Sequence, residues 1–421
     1  MTDKYALSRH DIDILRRLAQ RVVDITQSPV NLERKALWYK HDAGRSERPM
    51  ILAEAFDVRD EVLPLPASVL ECDEPWTRGV EGRLRFQIYQ FDVLRDDHVV
   101  ELYFNINWRV QVSDYGVQPF EYTADNDGRM GSKRWDPPIP DLDKDFDKLH
   151  PRTYSVDREA TLARKNRLEK VFGDILPVRI RGPFWWTMGM TELAMKLHGF
   201  QNLMLNTLDN PEGVHRLMAF LRDDHIAFAE WLEKEGLLGL NNENDYIGSG
   251  SMGYTHHLPQ PGKEAGDPVQ LKDQWVLLES QETVGVGPEQ FEELFFRYQL
   301  SIAERFGKCY YGCCEPLNTR WHILKRIPNL ARVSVSPWVD EEVIANELGS
   351  DIVYSRKPNP TLISTKHFDE DAIRADIRNT LTVAKDCRVE IIMKDVHTLN
   401  NEPARLPRWV EIAREVIDEV A

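Results

Sequence analysis

No apolar run in this sequence approaches the roughly 20 residues that a membrane-spanning helix requires; the longest are strand-length. The opening stretch, MTDKYALSRHDIDILRRLAQRVV, alternates charges with apolar side chains and has no unbroken core of the kind a secretory signal carries. It reads as an amphipathic helix. Cysteine is scarce and odd in number: Cys72, Cys309, Cys313, Cys314 and Cys387, three of them close together. That is no disulfide framework, and a reducing cytoplasm is the compartment it suits. Positive charge is short as well, with 53 Lys and Arg against 69 Asp and Glu, a net charge of −16. An acidic chain repels phosphate backbones and anionic lipid, so neither nucleic acid nor a membrane is expected as a partner. Internal repeats are missing, and no strand candidate runs directly into a G-x-G-x-x-G.

What is present is a globular chain. Its 421 residues are 42% hydrophobic and 29% charged, and a chain of that length buries enough surface to fold without disulfides or a structural metal. From about residue 175, short apolar runs alternate with helical patterns. The runs are 178–180, 237–240, 275–278, 309–311, 333–335, 352–354 and 389–393. Between them lie stripes with apolar residues three and four apart, such as Leu406, Trp409, Val410, Ala413, Ile417 and Val420. Strands alternating with helices predict a parallel sheet covered by helices. These seven runs and an eighth at 49–55 suggest an α/β fold closed as a (β/α)8 TIM barrel, with an open doubly wound sheet as the alternative. Residues 165–421 are expected to form the barrel body. Residues 1–164 form an elaborated N-terminal region containing the first barrel strand and extra β structure, with hairpin material at 83–91 and 99–108. Residues 121–150, polar and rich in Pro and Gly, read as a long functional loop.

In a parallel barrel, side chains at the carboxyl ends of the strands converge on one mouth, and chemistry sits there. The segment Tyr310–Glu315 (YYGCCE) offers a thiolate ligand for zinc. Adjacent strand residues point to opposite faces, so one cysteine of the pair, Cys313, is expected to bind metal and Cys314 to pack. Glu282 and His397 would supply the other ligands from neighbouring strand ends, leaving an open position for catalysis. Glu279, ending its strand, could hold a proton for general acid work, with Asp395 as a second candidate. Trp185 and Trp186 could stack a ring substrate. Each has a plainer reading: cysteines as small core residues, carboxylates on a solvated loop, tryptophans as packing.

The stretch GPFWWTMGMTELAMKLHGFQNLMLNTLDNPEGVHRLMAFL (182–221) resembles a segment of the uroporphyrinogen decarboxylase superfamily. So do LESQETVGVGPEQFEELFFRYQ (278–299) and the last strand and helix around IIMKDVHTLNNEPARLPRWVEIARE. The superfamily includes the zinc-dependent cobalamin methyltransferases, which carry His-x-Cys where this chain has Tyr311-Gly312-Cys313. The resemblance implies a barrel and a zinc-dependent methyltransferase. Such an enzyme moves a methyl group from a methoxy or methylamine donor to cobalamin, presented by a partner corrinoid protein. Cys313 carries over as a ligand, His397 stands near the family's final cysteine, and Tyr311, at the histidine position, is assigned to the substrate. The alternatives are a decarboxylase of a tetrapyrrole or related acid, and a non-catalytic corrinoid or tetrapyrrole binder.

Overall fold

The computed structural model of the protein describes residues 7–62, 67–123, 133–264 and 266–420. Its centre is a six-stranded parallel sheet. We label its strands β1 (Met50–Ala53), β2 (Trp275–Leu278), β3 (Lys308–Tyr311), β4 (Leu330–Val335), β5 (Val353–Arg356) and β6 (Val389–Met393). Across the sheet the order is β1, β6, β5, β4, β3, β2, so the first strand of the chain pairs with the last, Met50 opposite Glu390. From β2 to β6, consecutive strands lie side by side and are joined through helices, the arrangement expected of βαβ units.

The strands are mostly buried, and period two sorts their residues onto two faces. Ile51, Ala53, Val276, Leu278, Cys309, Tyr311, Val333, Val335, Tyr354, Ile391 and Met393 pack with the helices in the main core. Met50, Leu52 and Ile392 face the other way against Trp38, while Trp275, Leu277 and Tyr310 cluster with Ile247 and Leu258. This inner face also carries charge. Arg332, fully buried, donates to Glu390 Oε2 at 3.2 Å and to Ser251 Oγ at 2.6 Å, and Asp42 reaches it from the helix Pro29–Asp42. Above them Lys357 Nζ donates to Tyr310 Oη at 2.8 Å and Ser355 Oγ at 2.6 Å, and burial pushes this lysine down to about 7.

The helices begin and end on the signals in the sequence. Ser8 caps Arg9–Thr26 by accepting from Asp11 N, and the helix buries Ile14, Leu15, Leu18, Val22 and Ile25 on one face. Asn210 caps Pro211–Lys234, which starts on its proline and is followed by Gly236 in a left-handed conformation. The final helix, Arg405–Val420, buries Leu406, Trp409, Val410, Ala413 and Ile417, as its stripe predicts.

Three expectations are corrected. The expected β structure at 83–91 is helix, Pro75–Tyr89 running into a wider turn at Gln90–Leu94. Pro75 starts it, and burial of Val80, Leu84 and Tyr89 follows a helical rather than an alternating period. The expected strand at 237–240 has no regular structure; a small hairpin follows instead, Tyr246–Gly248 against Ser251–Met252. Val178–Ile180 is a strand as expected, but its parallel partner is Phe104–Ile106 rather than the six-stranded sheet. The fold is therefore α/β with a central parallel sheet, of which six strands are hydrogen-bonded together. Part of the expected loop at 121–150 lies outside the described residues. The remainder includes a short antiparallel pair, Phe120–Thr123 with Lys133–Asp136.

Candidate active site

The carboxyl ends of the strands bring their next residues together. Glu54 follows β1, Glu279 follows β2 and Lys394 follows β6, each on the inner parity of its strand. Cys313 and Cys314 come from the turn after β3, where Gly312 has φ +97°. This turn overturns the expectation that the adjacent cysteines diverge. The chain has left the strand, so alternation no longer applies, and the two Sγ atoms lie 3.6 Å apart on the same side. A side chain at Gly312 would combine a left-handed backbone with a 3.2 Å approach to Ser334 Cβ.

Cys313 is buried. Its sulfur lies 3.9 Å from Lys394 Nζ, and its backbone N–H donates to Glu315 Oε2 at 2.9 Å. The Cys314 thiol beside it, and then the Lys394 ammonium, draw its pKa below the usual thiol range. Cys314 moves the opposite way, raised by the neighbouring Cys313 and by burial, and reaches Asp395 Oδ2 at 3.7 Å. Lys394, raised by the charges around it despite burial, also reaches Ser249 Oγ at 3.4 Å and Asp395 Oδ1 at 3.5 Å.

Glu279 is fully buried. Burial, with the charges of Glu282 and Glu315 added, raises its pKa well above the carboxylate range, which favours its protonated form. Thr187 Oγ1 and Gln281 N contact its carboxyl oxygens at 3.4 Å and 3.2 Å. Glu315 is pushed up by burial too, but it accepts from the backbone N–H groups of Ser280 and Cys313, both at 2.9 Å. These donors favour its ionised form, which makes Glu279 the protonated member of the pair.

Glu54 has its pKa raised by burial, and its Oε1 is buried without a hydrogen-bond partner. With Phe56, Phe184, Trp185, Trp186 and Tyr246 it lines a pocket of about 540 Å³. The same tryptophans and Tyr246 also wall an adjoining pocket of about 240 Å³, which contains Arg181 and Asp245. Arg181 is already paired with Asp245 and with Glu243, the latter at 3.2 Å.

The sequence-expected site residues thus divide. Trp185 and Trp186 line the pocket; Cys313, Glu279 and Asp395 stand just beyond the strand ends. Tyr311 does not join them. It shares parity with Cys309, faces the helices, and sends its hydroxyl to Ser280 Oγ at 3.2 Å. Glu282 accepts from Thr191 Oγ1 at 2.7 Å. His397 is half-exposed and pairs with Asp57 at 3.4 Å. The structure does not bring Cys313, Glu282 and His397 together. Among the described residues, the only three His, Cys, Asp or Glu donors within mutual reach are His10, Asp11 and Asp73 on the first helix and a loop. The cation beside Cys313 Sγ is the Lys394 ammonium, 3.9 Å away. The donor set does not fit the expected three-ligand zinc site.

Glu54 and Tyr246 were missed by the sequence reading, and Lys394 was seen without a role. A signal existed for two of them. Each is a charged residue directly after an uninterrupted apolar strand, MILA-Glu54 and IIM-Lys394.

No family model and no curated protein matches the chain. Among solved structures, a methyltransferase from Methanosarcina mazei is similar in fold, with a TM-score of 0.50 and 11% sequence identity. The match covers 92% of this chain and 98% of that one, so the likeness in fold runs the length of both.

Proposed function

We propose that this chain is a methyltransferase, of the methyltransferase branch of the uroporphyrinogen decarboxylase superfamily, working at the mouth of a closed barrel. It takes a methyl group from a methylated small molecule and passes it to a corrinoid carried by a partner protein. The observation that carries the reading is a buried Glu279, favouring its protonated form and in contact with Thr187, the residue that follows the Trp185-Trp186 pair in the pocket wall. The fold shared with a protein described as a methyltransferase supports the reaction class by analogy.

In this reading the aromatic wall seats the donor. Glu54, with an unfilled acceptor oxygen in the same pocket, favours an uncharged methyl donor that carries an N–H or O–H group. The acceptor attacks the methyl carbon in line, and the bond from carbon to the heteroatom breaks. Glu279 gives its proton to the departing heteroatom, neutralising the charge that develops there. Lys394 stabilises negative charge at the mouth. Phe56, Trp186, Val284 and Trp338 are exposed on strand-end loops, an apolar rim against which the corrinoid carrier docks. No step of this reading runs through a metal.

The test is absorbance of a Co(I) corrinoid protein on addition of the enzyme with a panel of methylamines and methoxylated aromatics. Formation of the methylated corrinoid with one donor, lost in Glu279→Gln, is the expected result. If no donor reacts while the enzyme releases carbon dioxide from a porphyrinogen, the decarboxylase reading replaces this one.

A further inference from the structure

Two thiols in adjacent residues point the same way at the mouth. Cys313 Sγ and Cys314 Sγ are 3.6 Å apart, Cys314 is partly open to solvent, and Cys313 lies beneath it beside Lys394. The geometry follows from the chain leaving β3 at Tyr311 and turning at Gly312, where only glycine takes φ +97° easily. Cys309 is buried on the helix-facing side of the strand, and its sulfur reaches Tyr310 O, so it does not compete for either thiol. The Cys314 thiol has two acceptors in reach, Cys313 Sγ at 3.6 Å and Asp395 Oδ2 at 3.7 Å.

We propose that Cys313 and Cys314 form a vicinal dithiol that reacts as a unit with low-molecular-mass disulfides and with trivalent arsenicals, reversibly closing the mouth to chemistry. With a small disulfide, Cys314 passes its proton to the Cys313 thiolate and attacks one sulfur. The disulfide bond breaks, and the departing thiolate takes the proton from Cys313. Cys313 then attacks Cys314 Sγ and expels the second thiolate, which is protonated by water. Two cysteine sulfurs are oxidised to a disulfide and one small disulfide is reduced to two thiols. With an arsenoxide, both sulfurs bond to one arsenic and the oxygen leaves as water.

The ring so formed is easily reopened. Neighbouring Cα atoms across a trans peptide are about 3.8 Å apart, below the roughly 4.4–6.8 Å that unstrained disulfides span. A strained disulfide has a more oxidising potential and is the labile kind. Closure would remove the Cys313 sulfur from Lys394, so the oxidised mouth loses that ion pair. The reactivity is independent of methyl transfer and stands or falls without it.

The experiment uses the full-length reduced protein and intact-mass measurement. Treatment with glutathione disulfide is expected to remove two hydrogen masses with no glutathione retained. Peptide mapping places the new bond between Cys313 and Cys314, and a monothiol reductant restores the starting mass. Phenylarsine oxide is expected to add once and to protect both cysteines from alkylation. In Cys313→Ser the exchange stops halfway, leaving glutathione on Cys314. A wild-type protein that retains glutathione, or that binds phenylarsine oxide no better than Cys313→Ser, overturns the proposal. Circular dichroism of each variant distinguishes loss of the dithiol from loss of the fold.

Discussion

Lys394 Nζ lies 3.9 Å from Cys313 Sγ although β6 and β3, the strands they follow, are separated in the sheet by β4 and β5. Strands pair about 4.8 Å apart, so three spacings in a flat sheet would separate these ends by about 14 Å. The sheet must therefore curve strongly inward for the two side chains to meet. The hairpin at 246–252 lies against the same concave face, with Ser249 on Lys394 and Ser251 on Arg332. Curvature is what converts six strand ends into one site.

The lysine and the cysteine depend on one another, and this is measurable. Lys394→Met keeps the stem and removes the charge, leaving only the Cys314 thiol to favour the Cys313 thiolate. Alkylation of Cys313 by iodoacetamide at neutral pH should slow about tenfold, the equivalent of one pKa unit. Lys394→Arg should recover part of the rate. An unchanged rate in Lys394→Met would mean that the ammonium does not hold the thiolate.

Much of this was legible in the sequence. Short apolar runs located all six strands of the sheet, and apolar stripes three and four apart located helices such as Arg405–Val420, because both are local signals. What failed was non-local. Whether 237–240 or the hairpin after it takes a place in the wall depends on packing against Tyr310 and Trp275, which no local pattern encodes. The site divided in the same way. Parity could have shown that Tyr311 faces the helices while Glu279 and Lys394 face inward. The convergence of Cys313 and Cys314 required the backbone turn at Gly312, and pairing of His397 with Asp57 required the tertiary fold.

Glu279 is held in place by backbone rather than by ion pairs, so it can be displaced from a distance. A Cβ at Gly189 would stand 2.4 Å from Glu279 O and 2.6 Å from its Oε1. Gly189→Ala should therefore force the carboxyl group out of position. Activity is expected to fall by about 10²–10⁴-fold, the contribution of a positioned general acid. Trp185 and Trp186 should still bind the donor, so KM should change far less than kcat. A variant that loses affinity but not kcat would place Glu279 outside the chemistry.

The same carboxyl group sets a pH limit. Its raised pKa favours the protonated form, and only that form can donate. Activity should hold at neutral pH and fall as pH rises through that pKa. In Glu279→Gln the residual rate should lose this alkaline limb. A limb that persists unchanged in the variant would assign it to another group.

Stability should carry a separate pH signature from the other end of the sheet. His41 is fully buried, and burial, outweighing Glu390 3.9 Å away, pushes its pKa down to about 4; Arg332 and Arg388 add to the shift. Its Nδ1 meets Ser46 Oγ at 3.0 Å, while Nε2 has no hydrogen-bond partner. The unfolded chain takes up a proton at this imidazole near pH 6.5, and the folded chain only near 4. Its contribution to stability is thus full above pH 6.5 and is lost as pH falls from there toward 4. Asp97, lowered to about 2 in the fold, acts in a lower window and does not mask it. Urea unfolding between pH 4.5 and 7.5 should show the wild type weakening toward acid, by on the order of 3 kcal/mol at the lower end for a shift of this size. His41→Gln, which cannot take up a proton, should flatten that slope even if it is less stable throughout. An equal slope in both proteins would mean that His41 is not the group that titrates.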